Sequence, residues 1–579
     1  MNLNVTDRNG RTYLFINKSY RDENGKPKKK HVKSIGYLDV LEKEYTDPIA
    51  HFKEVARRMT EDEKNEKKLT VQINMDDRLA DGAAGTRNFG YVLPLKIYHE
   101  LGVDRFLKNQ AQKEAFKFNT NSIMILLSMC RLLSPCSIKR AFEEKGRYFE
   151  RFDFTLDDIY RSLGHFDKVA KDLQRYIHES VRIKYGSDTS IIYYDVTNYY
   201  FEIKKPDEFR KYGLSKEKRK RPIVQMGLAM DKEGIPLHYE VFPGNKLDKE
   251  TFRSVVGNVR KNYGTGRIIA VADMGIITGD NIHYLVGSKP EKPKNGYVFS
   301  FTVRGGAKKF QEYALEEKGY VSWDGSPLQD DPDFKIKWRM TQRDINVTMA
   351  NGKTAKKTVY EKQVVFWSKK HCLKSRAERN EVLARAQDLI TNPGKFNKAT
   401  SYGAAAYVSN IEYDKETGEV LDAGKHLCLN LPKIEDEEKF DGYYSIVTSE
   451  LSMDATKIVD TYRGLWEIEE SFRITKSDLE ARPVYVQSKE HINAHFLVCF
   501  IALAILRLIQ KKTDWKYSPA KIIECLNKIE CMAEHENIYL FGYRSGISDL
   551  LGQAFGIDFT KKRLILADIK KFSAFAKDG

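Results

Sequence analysis

The run "IIYYDVTNYYFE" at 191–202 is β-branched or aromatic almost throughout, with one aspartate, Asp195, in its middle. Such a run reads as a buried strand bounded by polar sequence. A carboxylate inside it costs free energy unless a positive or hydrogen-bonding group meets it. The segments that follow indicate how the strand is housed. Two more strands, "PIVQMGLAMD" and "IPLHYEVFPG", are joined by the turn "DKEG". Then come a helix, "DKETFRSVVGNVRKNYG", the short strand "RIIAVAD" ending at Asp273, a second helix near "GDNIHYLVG" and the strand "GYVFSFTV". Three strands and then strand–helix alternation predict a mixed sheet with helices on its faces.

The remainder divides by pattern into a multidomain α+β chain. Residues 1–70 alternate in strand fashion around the turn signal "ENGKP" and end in a charged linker, which fits a small β module. Residues 71–187 are helical, with apolar positions at i, i+3, i+4 in "NSIMILLSMCRLL" and "LDDIYRSLGHFDKVAKDLQRYIHESV". The mixed-sheet core occupies 188–303. Strand-like runs such as "FKIKWRMTQRDINVTM" and "KTVYEKQVVFWS" mark 304–450 as a β-rich insertion. Helix returns over 451–515, with a continuous helix expected over 454–481, and 516–579 reads as a small α/β tail.

Lysine and arginine number 97 against 81 acidic residues, a net charge of +16 that favours a polyanionic partner. The apolar run "FLVCFIALAIL" at 496–506 falls short of the roughly 20 residues of a spanning helix. The start "MNLNVTDRNG" carries no signal pattern. No membrane role is expected, and the expected setting is the cytoplasm, facing nucleic acid. Seven cysteines without a CxxC pair read as small buried hydrophobes. A GxxxxGK[ST] loop is missing, and "HINAH" (His491, His495) lacks the glutamate of HExxH, so both histidines read as ordinary helix residues.

Three carboxylates stand out by location. Asp273 closes an apolar strand at the end where α/β folds place ligands, although a strand-end aspartate is ordinarily a cap or turn residue. Glu469 lies in "YRGLWEIEESFRITK" beside the apolar Leu465, Ile468 and Phe472. Its bland reading is a surface ion pair with Arg473 at i,i+4. Together with Asp195, the three could form an oxygen-rich site for Mg²⁺ or Mn²⁺. Two such ions about 3.5–4 Å apart serve phosphodiester chemistry. Tyr462, Glu469 and Lys476, spaced seven apart, fall on nearly one helix face, with Arg473 on the same side. Hydroxyl, carboxylate, guanidinium and ammonium on one face suit a metal-held phosphate.

These segments resemble a known family. "YYDVTNYYFE", "VADMGIITGDNI" and "YRGLWEIEESFRITKSDLEARPVYV" are similar to the three conserved blocks of bacterial insertion-sequence transposases of the DDE class. Within that class they resemble the group with a Tyr-x2-Arg-x3-Glu-x6-Lys signature, and the likeness covers roughly residues 90–560. It implies an RNase H-like catalytic fold interrupted by a β-rich insertion between the second aspartate and the glutamate. It also implies that Asp195, Asp273 and Glu469 are a catalytic triad binding two Mg²⁺ or Mn²⁺ ions. The implied partners are double-stranded DNA, both transposon ends and target, and a second protomer in a homodimeric synaptic complex. Tyr462 and Lys476 match signature positions near the end backbone. The signature arginine is replaced by Leu465, and Arg463 points about 160° away around an ideal helix. Tyr462, Lys476, Arg473 and Arg463 are the candidate DNA contacts. The helices of 90–185, the β module of 1–45 and the basic connector at 204–222 are further candidates for contacting DNA. Two alternatives stay open: an RNase H-like nuclease without strand transfer, and a DNA-binding protein with a retired catalytic site.

Overall fold

Asn9 and Gly10 both take left-handed backbone, with φ of 58° and 77°, as a two-residue hairpin turn between right-twisting strands requires. They join β1 (Asn2–Arg8) to β2 (Arg11–Arg21), and β3 (Pro27–Tyr37) completes an antiparallel meander. Helix α1 (Pro48–Asn65) follows, and Leu14, Ile16 and Ala56 are the buried apolar residues of this unit. The computed structural model describes residues 1–21, 26–65, 76, 78, 85–114, 116–213, 221–289, 293–392, 403–410, 427–535 and 537–578. The chain divides into two units, Met1–Asp81 and Gly82–Gly579. Most of the turn signal "ENGKP" and the end of the charged linker lie outside the described residues.

The second unit is built on an eight-stranded mixed sheet of order β10-β11-β14-β9-β8-β5-β6-β7. Its centre is β5 (Ile191–Tyr200), flanked by antiparallel β6 (Ile223–Met230) and parallel β8 (Ile269–Ala272). Outside these lie antiparallel β7 (Pro236–Pro243) and parallel β9 (Gly296–Phe301). Every residue of β6 is buried, which requires cover on both faces. One face, carrying Ile192, Tyr194, Ala270 and Phe299, packs on α6 (Asp248–Asn262) and α7 (Gly279–Val286). The other, carrying Tyr193, Tyr199, Val271 and Val298, packs into a large core built by the remaining helices.

That core takes in α2 (Val92–Glu100), α3 (Thr120–Leu133), α4 (Ile138–Glu143) and α5 (Leu156–Tyr185). Helix α5 starts at a capping box between Thr155 and Asp158 and turns its apolar stripe, including Phe166, Leu173 and Ile177, inward. The helices expected over 71–187 thus form a layer over the sheet. The C-terminal tail joins them: β4 (Arg87–Asn88) pairs with β15 (Glu530–His535), beside β16 (Ile538–Phe541) and β17 (Arg563–Ile565).

The stretch 304–450, expected as a β-rich insertion, contributes strands to the main sheet. Its strands β10 (Phe334–Thr348), β11 (Thr354–Ser368) and β14 (Tyr443–Thr448) extend the main sheet beyond β9. Among the described residues of this stretch, the short pair β12 (Val408–Asn410) and β13 (Leu427–Leu429) forms a separate two-stranded sheet. The stretch also contains the 23-residue helix α8 (Lys369–Thr391), on which only Cys372, Arg379 and Ala386 are buried. A helix with so little apolar surface offers no stripe to read.

The helix expected over 454–481 is broken into α9 (Ala455–Arg463), α10 (Trp466–Arg473) and a π-helical turn, Ile474–Asp478. Between α9 and α10 the ladder tightens, with Leu465, Glu467 and Ile468 N–H donating to the carbonyls three residues earlier. The break falls where the chain meets the sheet: a Cβ on Gly464 would lie 2.0 Å from the Tyr193 hydroxyl. The core helix α11 (Lys489–Lys512) is long and apolar enough to cross a membrane, but 89% of its apolar window is buried inside the fold. Gly464→Ala should destabilise the protein by about 1–3 kcal/mol through overpacking, and Tyr193→Phe in the same chain should recover part of the loss. Thermal melting of the two variants checks this, since an unchanged midpoint for Gly464→Ala would show that helix and strand move apart freely.

Candidate functional site

Parallel strands β5 and β8 pair Tyr193 with Val271 and Tyr194 with Ala272. One step further along the same register are Asp195 and Asp273. Tyr193 and Val271 belong to the large helical core, and side chains alternate along a strand. Both aspartates therefore face that side, on strands about 4.8 Å apart. Asp195 is half-buried and its Oδ1 accepts the Val196 N–H at 2.7 Å. Asp273 is exposed and does cap a short turn, accepting the Met274 N–H at 2.7 Å. The same Oδ1 also accepts the Ser300 hydroxyl at 2.6 Å and the Tyr462 hydroxyl at 3.3 Å. All three donors meet Oδ1, so Oδ2 has no donor among the described residues. Burial and the Asp273 charge push the Tyr462 pKa well up, so this hydroxyl stays protonated and donating.

Glu469 reaches the site on α10, which packs against β5. Gly464 lies on Tyr193, and the Lys476 ammonium sits 5.6 Å from the Tyr199 ring centre. The chain thus runs along β5 in the strand's own direction and carries Glu469 over the stretch that holds Asp195. Its acidic neighbours are held elsewhere by Arg507, a fully buried cation on α11. The guanidinium donates to the Glu467 carboxylate at 2.6 Å, the Glu467 carbonyl at 2.9 Å and the Glu470 carboxylate at 2.9 Å. Burial pushes the Glu467 carboxyl up, against the pull of Arg507. Glu469 is exposed and has no ion pair among the described residues. The expected Glu469–Arg473 surface pair does not form: Arg473 bridges to Asp478 at 3.2 Å and Glu470 at 3.9 Å.

The other candidates are spread along the same path. Arg463 pairs with Asp460 at 3.2 Å and lies over the Trp323 ring at 4.8 Å. Leu465 is buried in the core, so the position of the signature arginine faces inward in this protein. The tightened turn and the π turn change the phase along the segment, so Tyr462, Glu469 and Lys476 no longer share one ideal α-helical face. Part of the connector at 204–222 lies outside the described residues; within the rest, Arg210 pairs with Asp207 at 2.6 Å. His495 is half-buried and its Nε2–H donates to the Ala481 carbonyl at 3.0 Å, with the packing around it pressing its pKa down to about 3, as an ordinary helix histidine would.

Oxygen ligands on two adjacent strands suit a hard divalent cation, which would also offset the repulsion between the aspartates. Among the described residues no three carboxylate, imidazole or thiolate side chains gather closely enough to hold a metal ion. The three carboxylates are therefore not gathered into a metal-binding cluster in this structure. Two participants were missed from sequence. Ser300 is a polar residue in an apolar strand, the same kind of signal that singled out Asp195. Arg507 is a lone cation in "FIALAILRLIQ". Replacing Arg507 by Met should cost about 3–5 kcal/mol, because two carboxylates lose their buried partner. Adding Glu467→Gln and Glu470→Gln should restore most of it. Urea unfolding of the single and triple variants tests this, and equal stability of wild type and Arg507→Met would refute the clamp.

Comparison with known families accounts for this arrangement. Residues 3–71 match the N-terminal domain of IS1634 family transposases. Residues 186–505, more than half of the chain, match the transposase DDE domain. No curated protein matches the chain. The longer match begins just before β5 and ends within α11, so it spans both aspartates, Glu469 and the sheet that carries them. DDE domains act with divalent metal ions, and a large mixed sheet between helices is consistent with their RNase H-like fold. The chain belongs to the insertion-sequence transposases that carry a DDE catalytic domain.

Proposed function

We propose that this transposase binds the terminal inverted repeats of its insertion sequence, hydrolyses the DNA at the ends to expose a 3′-OH, and joins that 3′-OH to target DNA. The observation that carries the reading is the level pair Asp195 and Asp273 on one sheet face, with an exposed Glu469 on α10, the helix that packs against β5. Asp195 and Asp273, completed by Glu469, would hold Mg²⁺ or Mn²⁺, with two ions in the active complex. Such ions, when bound, activate the attacking oxygen and stabilise the leaving one.

The protein's own groups prepare that site. Ser300 and Tyr462 hold Asp273 by one oxygen and leave the other to face a cation. Arg507 anchors the glutamates on either side of Glu469, so Glu469 alone of the three is presented outward. Lys476 and Arg473 neutralise the backbone near the cut, with Tyr462 bonded between site and strand, and Arg463 serves the DNA from the Trp323 side. Two protomers act together on paired ends.

Asp195→Asn, Asp273→Asn and Glu469→Gln should each abolish end cleavage while leaving end binding within about twofold, since the amide keeps the shape and loses the charge that holds metal. Cleavage and gel-shift assays on each variant check this; a variant that still cleaves removes its residue from the triad. Pre-cleaved ends supplied with Mg²⁺ and a target plasmid should yield joined products. Cleavage without joining would identify a nuclease, and binding without either would identify a retired transposase.

A further inference from the structure

Beyond Lys476 the cations continue along β5. Arg482 lies 5.9 Å from the Tyr200 ring centre, one residue past Tyr199. Arg131, on α3, donates to the carbonyls of Leu479 and Glu480 at 3.2 and 3.0 Å. This series leads into a groove of about 430 Å³ between the starts of α4 and α11, lined by Arg131, Cys136, Lys139, Tyr160, Tyr485 and His491 among others. Its described lining contains no acidic side chain, in a chain with 81 of them. Tyr485 is 72% exposed and Tyr160 38%. The Tyr160 ring lies 6.2 Å from that of His491, so one tyrosine backs onto an imidazole while the other stands clear in solvent.

We propose that this groove seats the sugar-phosphate backbone of the duplex on the element side of the cut. The inference rests on the triad reading for its orientation and on the groove for its chemistry. Arginine, lysine and tyrosine are donors that position DNA through its phosphates, and a lining without carboxylates admits the polyanion without repulsion. From Asp195 to Tyr199 the strand advances about 13 Å, which matches about four base pairs of duplex at about 3.4 Å each. The groove, beyond Tyr200, lies further still from the cut. The element-side strand keeps its reactive end at the carboxylates through both cleavage and joining, so a fixed seat downstream serves that strand and not the flank, which departs.

The test uses the full-length protein and two duplexes of equal length around one end, one extending inward from the cut and the other extending outward with about four base pairs inside. The variant is Lys139→Glu with Tyr485→Ala, both exposed positions outside the core, and its melting midpoint is recorded beside wild type. The variant should bind the inward duplex at least tenfold more weakly, with a salt slope reduced by about one or two. Its binding to the outward duplex should not change. In wild type, the inward duplex should protect the half-buried Cys136 from maleimide, read by peptide mapping. Unchanged affinity for the inward duplex, equal loss on both duplexes, or unprotected Cys136 would each overturn the proposal. Wild type that binds and protects but never cleaves would sink the triad reading and leave the groove standing.

Discussion

Two carboxylates at the same level on neighbouring parallel strands repel each other, and much of the domain can be understood as making that pairing tolerable. Asp195 cannot retreat, because both sides of its strand are covered and its neighbours Tyr194 and Val196 are locked into the opposite core. Asp273 escapes part of the strain by lying at a strand end, where a turn amide, a serine and a tyrosine all donate to one of its oxygens. The remaining field is directed to the face of the sheet that carries the larger core. A group of opposite sign is favoured there.

The helix that carries Glu469 is held from behind. Arg507 is wholly buried, and such a cation is tolerable only with its charge matched. Glu467 and Glu470 supply the match, at a cost visible in the raised pKa of Glu467. The same clamp decides which of the glutamates is left exposed. In "WEIEESFR" three acids sit within four positions, and local sequence does not distinguish them; the distinction comes from a residue on another helix.

This contrast explains what could be read from the sequence. Asp195 and Asp273 were legible because a polar residue in an apolar strand is an anomaly at a single position. The order of strands around them was legible because period-2 runs and turns are local. The break at Gly464 was not, since its cause is a tyrosine hydroxyl far away in sequence. The uniform helical phase assumed for Tyr462, Glu469 and Lys476 failed for the same reason, as backbone adapted to the sheet by tightening in one turn and widening in the next. The stretch 304–450 read as β-rich because its strands alternate, yet the sheet they join is a long-range fact, and α8 carries too little buried surface to register as a helix at all.

The order of these parts along the chain has a consequence in time. Both aspartates lie in the first half of the 579 residues, whereas Glu469 and its anchor Arg507 lie in the last quarter. Synthesis proceeds from the N-terminus at about 5–20 residues per second, so the aspartate-bearing strands emerge well before α10 and α11. A nascent chain can therefore carry both aspartates, but neither Glu469 nor the α11 cation that clamps its neighbours Glu467 and Glu470. Helices α10 and α11 emerge only after both aspartate-bearing strands, so a product truncated before them would carry both aspartates and lack Glu469.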